Sequence, residues 1–200
     1  MCHDILKNNC KNNGLNEFLV SLVGERKIPP LDKWSPTTVV PFDIIIKDDG
    51  DWYHEGVKMT RQSLVDLFAS VLWAEGEGEQ KCHFLKTPTD KYQITVVDVP
   101  LFINQVDKII ENGDEWIVFT TTHGDKIVLD DNLMYFKEFI RDDVCERRLY
   151  IDTRFNLTAR INRNVFYHLV ALGKLDEVDN QVILTLRSGG RIHHLVDNLE

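Results

Sequence analysis

Arginine carries most of the chemistry that can be read from this chain. Seven of its ten arginines fall between Arg147 and Arg191, a stretch with a local charge of +4 against −13 for the remainder. A guanidinium fork matches carboxylate and phosphate oxygens two at a time, so such enrichment points to a small anionic ligand. The alternative is a solvated face with local salt bridges. Arg61 and Arg163 each fall in the first turn of an expected helix, where a cation opposes the helix dipole. An anion held by the helix N-terminal amides and both guanidinium groups would offset that cost. An ion pair with Asp66 or Asp98 would do the same.

Lys58 and Arg160 stand two residues before the capping Thr60 and Asn162, and the sequence leaves open which side they face. Lys91 and Arg191 each end a turn, Thr87-Pro88-Thr89-Asp90 and Ser188-Gly189-Gly190. The Ser-Gly-Gly turn can present backbone amides to a phosphate. Trp34 and Trp52 could stack on a planar ligand or pack in the core, and Trp52 and Tyr53 must point to opposite faces of a strand.

Other chemistries find no footing. Phosphate-loop, dinucleotide, zinc-protease and nucleophile-elbow motifs are all absent, so no catalytic residue is assigned. Cys2, Cys10, Cys82 and Cys145 form no C-x-x-C pair, and the histidines have no Cys or Asp partner at a metal-site spacing, so neither a metal nor a cofactor is expected. Asp48-Asp49-Gly50-Asp51 resembles part of a calcium loop but lacks the terminal Glu, and reads as a turn. A net charge of −9 argues against bulk binding of duplex DNA. Neither a membrane-spanning run nor a secretory leader is evident, which gives a cytoplasmic expectation.

The elements that must hold the arginines follow from hydrophobic spacing. Leu15, Phe18, Leu19, Leu22 and Val23 predict an amphipathic appendage helix within residues 1–28. Pro29-Pro30 breaks the chain, and Trp34 anchors an extended arm. Val39 to Ile46, the Asp48–Asp51 turn and Trp52-Tyr53 predict a hairpin. Leu64, Leu67, Phe68, Val71 and Leu72 predict a helix reaching toward Gly76, followed by strands at His83–Lys86 and Tyr92–Val97. Phe102 to Ile110 is mixed, Trp116–Thr121 and Lys126–Leu129 form a second hairpin, Leu133 to Ile140 is a short amphipathic stretch, and Leu149–Ile151 is a strand.

At an offset of 102, Val57-Lys58-Met59-Thr60-Arg61 falls on Ala159-Arg160-Ile161-Asn162-Arg163, and Tyr53 falls on Phe155. The pattern implies a duplication: an α+β chain with a β-β-α-β-β unit in two related halves, 29–100 and 101–200. Two such halves could point both strand-to-helix junctions, and their arginines, at one cleft.

The Pro-Pro pair with Trp34, Gly50 through Trp52-Tyr53, Gly56, Arg61, Leu67-Phe68, Thr87-Pro88, Asp98, Pro100 and Phe102 resemble the bacterial Domain of Unknown Function 1285 family. The resemblance continues through Leu157, Ala159-Arg160, Arg163, Phe166-Tyr167 and Leu169. It implies a duplicated α+β core, a C-terminal half similar to pleckstrin-homology folds, and a nucleotide- or nucleic-acid-like ligand between the halves in a signalling role. It brings no catalytic residues. The rival readings are a protein-interaction module, in which the pleckstrin-like half offers a strand edge or groove to a peptide of a protein partner and which an apolar patch around Trp34 or Trp116 would favour, and a nucleotide-acting enzyme.

Overall fold

The computed structural model describes residues 28–198; the expected appendage helix, with Cys2 and Cys10, lies outside them. The first half opens with β1 (Thr38–Ile46), β2 (Trp52–His54) and β3 (Val57–Lys58), an antiparallel meander. Helix α1 (Gln62–Ser70) follows, then a second meander, β4 (Leu72–Glu75), β5 (Cys82–Lys86) and β6 (Asp90–Val96). The two meanders join through β1 and β6, which run parallel, giving the order β3-β2-β1-β6-β5-β4.

The second half repeats this plan. Strands β7 (Leu101–Glu111), β8 (Asp114–Thr121) and β9 (Lys126–Val128) form one meander. Strands β10 (Met134–Arg141), β11 (Val144–Asp152) and β12 (Thr158–Ile161) form the other. Again the first and last strands, β7 and β12, pair in parallel. The chain therefore has two similar halves, each a mixed six-stranded sheet with a helix.

Their helices enter at different points. α1 lies between the meanders, whereas α2 (Arg163–Leu172) follows the completed second sheet and leads into a third meander, β13 (Lys174–Val178), β14 (Gln181–Ser188) and β15 (Arg191–Asn198). The offset of 102 therefore superposes a helix followed by a meander on the same local arrangement, while the sheets correspond as β1 to β7 through β6 to β12. Tyr53 is a strand residue, but its sequence counterpart Phe155 sits in a 3-10 turn at φ 55°.

One expected element changes type, and one left open takes its type from pairing. Val71 and Leu72 leave the helix because Ser70 Oγ donates to the Leu67 carbonyl (2.6 Å) and the Val71 amide closes on Phe68 (3.1 Å). From there the burial alternates, Leu72 and Ala74 inward, in the two-residue period of a strand. The amphipathic stretch through Leu133 and Ile140, left without an assigned type by the sequence, forms strand β10 (Met134–Arg141). Its aromatic residues favour a pleated surface, and Asp142 and Asp143, both at positive φ, make the two-residue turn that folds it onto β11.

One apolar cluster runs through both halves, from Ile44, Trp52 and Ala69 in the first to Ile103, Phe119 and Leu169 in the second, and on to Leu186 in the third sheet. Ser188 ties that third sheet down. Its wholly buried hydroxyl accepts the Ile117 amide at 3.0 Å, and the Gly189 amide donates to the Glu115 carbonyl at 2.8 Å. Gly189 has φ +58°, and a Cβ there would lie 2.2 Å from the Trp116 ring, so both backbone and space demand glycine. Among the described residues no helix is long and apolar enough to cross a membrane.

Candidate functional site

The junction between the halves is built from charge. Asp98, in the linker after β6, has only 7% of its side chain exposed and accepts hydrogen bonds from Arg148 Nη1 (2.8 Å) and Tyr150 Oη (2.8 Å). Arg160 Nη1 stands 3.6 Å away. Arg148 and Tyr150 lie two residues apart on β11 and so share a face, and the cross-strand partner of Tyr150 on β12 is Arg160, which places all three around one carboxylate.

Asp48 completes the clamp from the first half, with Arg148 at 3.3 Å and Arg141 at 3.1 Å. The β1–β2 turn carries it there. The Gly50 amide closes on the Lys47 carbonyl (3.0 Å), and Gly50, at φ +91°, lies so close to Phe102 of the second half that a Cβ would be 3.0 Å from its ring.

These contacts move the ionisation equilibria. Burial pushes the Asp48 carboxyl up, but hydrogen bonds from Arg141 and Arg148 outweigh it and the pKa is lowered. Burial works against the Arg148 cation, yet Glu146, Asp98 and Asp48 raise its pKa above the usual arginine value. Tyr150 is raised by burial and by its bond to the Asp98 carboxylate. Arg160 moves the other way, lowered by burial and then by the neighbouring Arg148 charge. Its cation is therefore held at a cost, which an additional anion nearby would relieve.

Outside this clamp opens a cleft of about 780 Å³, lined by five arginines, Arg141, Arg147, Arg148, Arg160 and Arg163, against four carboxylates. Arg147 pairs with Asp197 (2.6 Å), and Arg141, Arg148 and Arg160 are held as described. Arg163, the first residue of α2, makes no ion pair among the described residues. Its Nε donates to Tyr167 Oη (3.1 Å), one turn along, and the guanidinium lies 5.8 Å from that ring. Phe136, Phe166 and Tyr167 add aromatic wall.

The residues singled out from sequence divide accordingly. Arg160 and Arg163 line the cleft, and Trp52 lines a second cavity next to it. Arg61 lines neither: it stands one residue before α1, exposed, with Nε on Ser63 Oγ (3.3 Å), so the two junction arginines do not share the cleft. Asp66 and Asp98, the expected partners of Arg61 and Arg163, instead hold His123 and the Arg148–Arg160 pair. Lys58 pairs with Asp51, Lys91 with Glu75 (2.8 Å), and Arg191 with Asp130 (2.7 Å) and Asp131.

Trp52, 2% exposed, packs its ring on Phe68 in the core, the second of the two alternatives that the sequence leaves open. Trp34 is half-buried outside the cleft lining, and Trp116 covers Gly189. Arg141, Arg147 and Arg148 were not singled out. The enrichment from Arg147 onward contained two of them, but only the pairing of β11 with β12 shows which way they face. Among the described residues no group of three or more His, Cys, Asp or Glu is placed to hold a metal.

Comparison with known proteins follows the same division of the chain. Residues 29–99 match the family model "Domain of unknown function (DUF1285), N-terminal domain", and residues 100–195 match "Protein of unknown function (DUF1285), C-terminal domain". No curated protein matches. A crystal structure of a DUF1285 family protein from Silicibacter pomeroyi DSS-3 is similar at 28% identity and a TM-score of 0.67, over 87% of this chain and 92% of that one. A second, from Shewanella baltica OS155, is 22% identical with a TM-score of 0.47, over 64% of this chain and 91% of that one. With both of its halves matched in order across residues 29–195, this chain belongs to the DUF1285 family.

Proposed function

We propose that the protein is a binding and regulatory protein that holds a small anionic ligand, of phosphate-bearing, nucleotide-like type, in the arginine cleft between its halves. The observation that carries this reading is Arg163. It is a cation in the first turn of a helix, where the dipole disfavours it, facing an open cleft with no carboxylate partner among the described residues. The amides of the same helix N-terminus, the strained charge of Arg160 and the aromatic wall give an entering anion hydrogen bonds, charge and a stacking surface together. Because walls come from both halves, occupancy would bias their relative placement, which is the physical content of a signalling role.

Thermal unfolding of the full chain against inorganic phosphate, pyrophosphate, mononucleotides and cyclic dinucleotides tests the reading. A ligand at about a hundred times its Kd adds roughly 2.7 kcal/mol, or about 5–10 °C at this size. The expected result is a shift that disappears in an Arg147→Ala, Arg163→Ala double variant. A panel without shifts, or a shift that survives the double variant, overturns it.

A further inference from the structure

Beside the arginine cleft lies a smaller cavity of about 290 Å³ whose chemistry is different. Asp49 and Asn162 line both spaces, so the two are contiguous. Its walls also come from both halves, Trp52 and Gln62 from the first, Phe102, Thr122 and His123 from the second. Two of its lining residues carry ring nitrogens with unused hydrogen-bonding capacity. Trp52 is buried, and its indole Nε1, a donor only, meets no acceptor among the described residues. Such a group keeps its desolvation penalty unless something pairs with it.

His123 supplies the complement. It is held in the Thr121–Asp125 turn, closed by the Gly124 amide on the Thr121 carbonyl (2.9 Å) and the Thr121 amide on the Asp125 carbonyl (2.9 Å). Its side chain is 5% exposed, and Nδ1 lies 2.9 Å from Asp66 Oδ1, which also accepts Gln62 Nε2 at 2.8 Å. In the neutral imidazole, a carboxylate acceptor at Nδ1 keeps the ring proton on that nitrogen and makes Nε2 the acceptor. No described residue hydrogen-bonds to Nε2. The two rings meet edge to face, with centroids 6.2 Å apart at 85°.

One unpaired donor beside one unpaired acceptor matches a hydroxyl group, which accepts through its oxygen and donates its proton. Thr122, Gln62 and Asn162 are neutral groups suited to further hydroxyls. We propose that this cavity is the hydroxyl-binding subsite of the arginine cleft, so that the ligand is a small phosphorylated polyol with a hydroxyl between Trp52 Nε1 and His123 Nε2 and its phosphate at Arg163. The assignment of the phosphate end rests on the reading of the cleft given above; the hydroxyl end rests on Trp52 and His123 alone.

Nitrogen–proton spectra of the ¹⁵N-labelled full chain separate the two. Single Trp34→Phe, Trp73→Phe and Trp116→Phe variants identify the Trp52 indole signal by elimination. It is then followed during titration with glycerol 3-phosphate, glycerol and inorganic phosphate, alongside the Arg163 side-chain signal. Glycerol 3-phosphate is expected to move both signals and bind about tenfold more tightly than inorganic phosphate, which moves Arg163 only. His123→Phe should bring glycerol 3-phosphate down to the affinity of inorganic phosphate without changing the latter.

Equal affinities with a stationary indole signal would overturn the subsite and leave the anion cleft standing. Glycerol moving the indole while phosphate leaves Arg163 unmoved would overturn the cleft and keep the subsite. No response to any probe overturns both. The wild-type titration decides by itself should the His123 variant fail to fold.

Discussion

Asp98→Ala is the most informative single change for the junction. It removes an acceptor with two hydrogen bonds at 2.8 Å and leaves Arg148 and Arg160 facing one another without it. Breaking a buried ion pair from one side costs about 3–5 kcal/mol, because the remaining charge stays desolvated. Arg148 keeps Asp48 and Glu146, and Arg160 retains some exposure, so the lower end, about 3 kcal/mol, is expected. Asp98→Asn preserves an oxygen for Tyr150 but surrenders the charge, and should cost about half as much. Urea unfolding followed by circular dichroism reads both as shifts in midpoint at constant slope. An Arg160→Met change added to Asp98→Asn should recover part of the loss, since it removes the orphaned cation. A cost below about 1 kcal/mol for Asp98→Ala, or no difference between Ala and Asn, would refute the claim that the halves are clamped by a desolvated charge network.

Other perturbations test separate parts of the fold. Burial, and then the Lys81 charge, lower the His83 pKa from 6.5 to about 4, so the native ring stays neutral where the unfolded one is protonated. Its stabilising contribution is complete above pH 6.5 and is lost as pH falls from 6.5 toward 4, about 3 kcal/mol in all, and urea midpoints of a His83→Gln variant should lose that pH dependence. A lowered Asp48 pKa acts in a more acidic window: its contribution is present above about pH 4 and fades as pH falls below that, and Asp48→Asn should flatten that limb of the unfolding curve. Gly189→Ala combines left-handed strain with a clash on Trp116 and should cost about 2–4 kcal/mol, partly relieved by Trp116→Leu, as read by thermal unfolding. Ser188→Ala leaves the Ile117 amide without its buried partner and should cost about 1–3 kcal/mol by the same measurement.

Where local chemistry sets structure, the sequence was legible. The Asp48–Asp51 turn, the Trp116–Val128 hairpin and the helix beginning at Arg163 follow from turn residues and hydrophobic period, and each stands where those signals place it. Strand β10 has no type legible in the sequence, because Phe136, Phe139 and Ile140 satisfy a helical spacing as well as a strand and only pairing with β11 decides between the two. The third meander escaped as a separate sheet for a related reason. A strand's sequence records that it is half-buried, but not which sheet receives it. In the candidate site, the arginine enrichment is visible in the sequence, and Arg160 and Arg163, singled out there, line the cleft. Arg148 and Asp98 were not tied together, because their proximity spans fifty residues and arises from strand register. His123 and Asp66 lie in different halves, and no linear spacing could have paired them.

The parallel pairing of first and last strands in each half has a consequence for how the chain assembles during synthesis. In an antiparallel meander, neighbours in sequence meet as soon as they emerge, so β1–β3 and β4–β6 can each form early. The contact that unites them, β1 with β6, must wait until Val96 has left the ribosome, and it closes the longest loop in that half. The same wait recurs between Leu101 and Ile161. Each half is thus sealed along its middle rather than at its rim, and a nascent chain paused before residue 90 would hold the first meander and the β4–β5 hairpin, with the strand that joins them still to come.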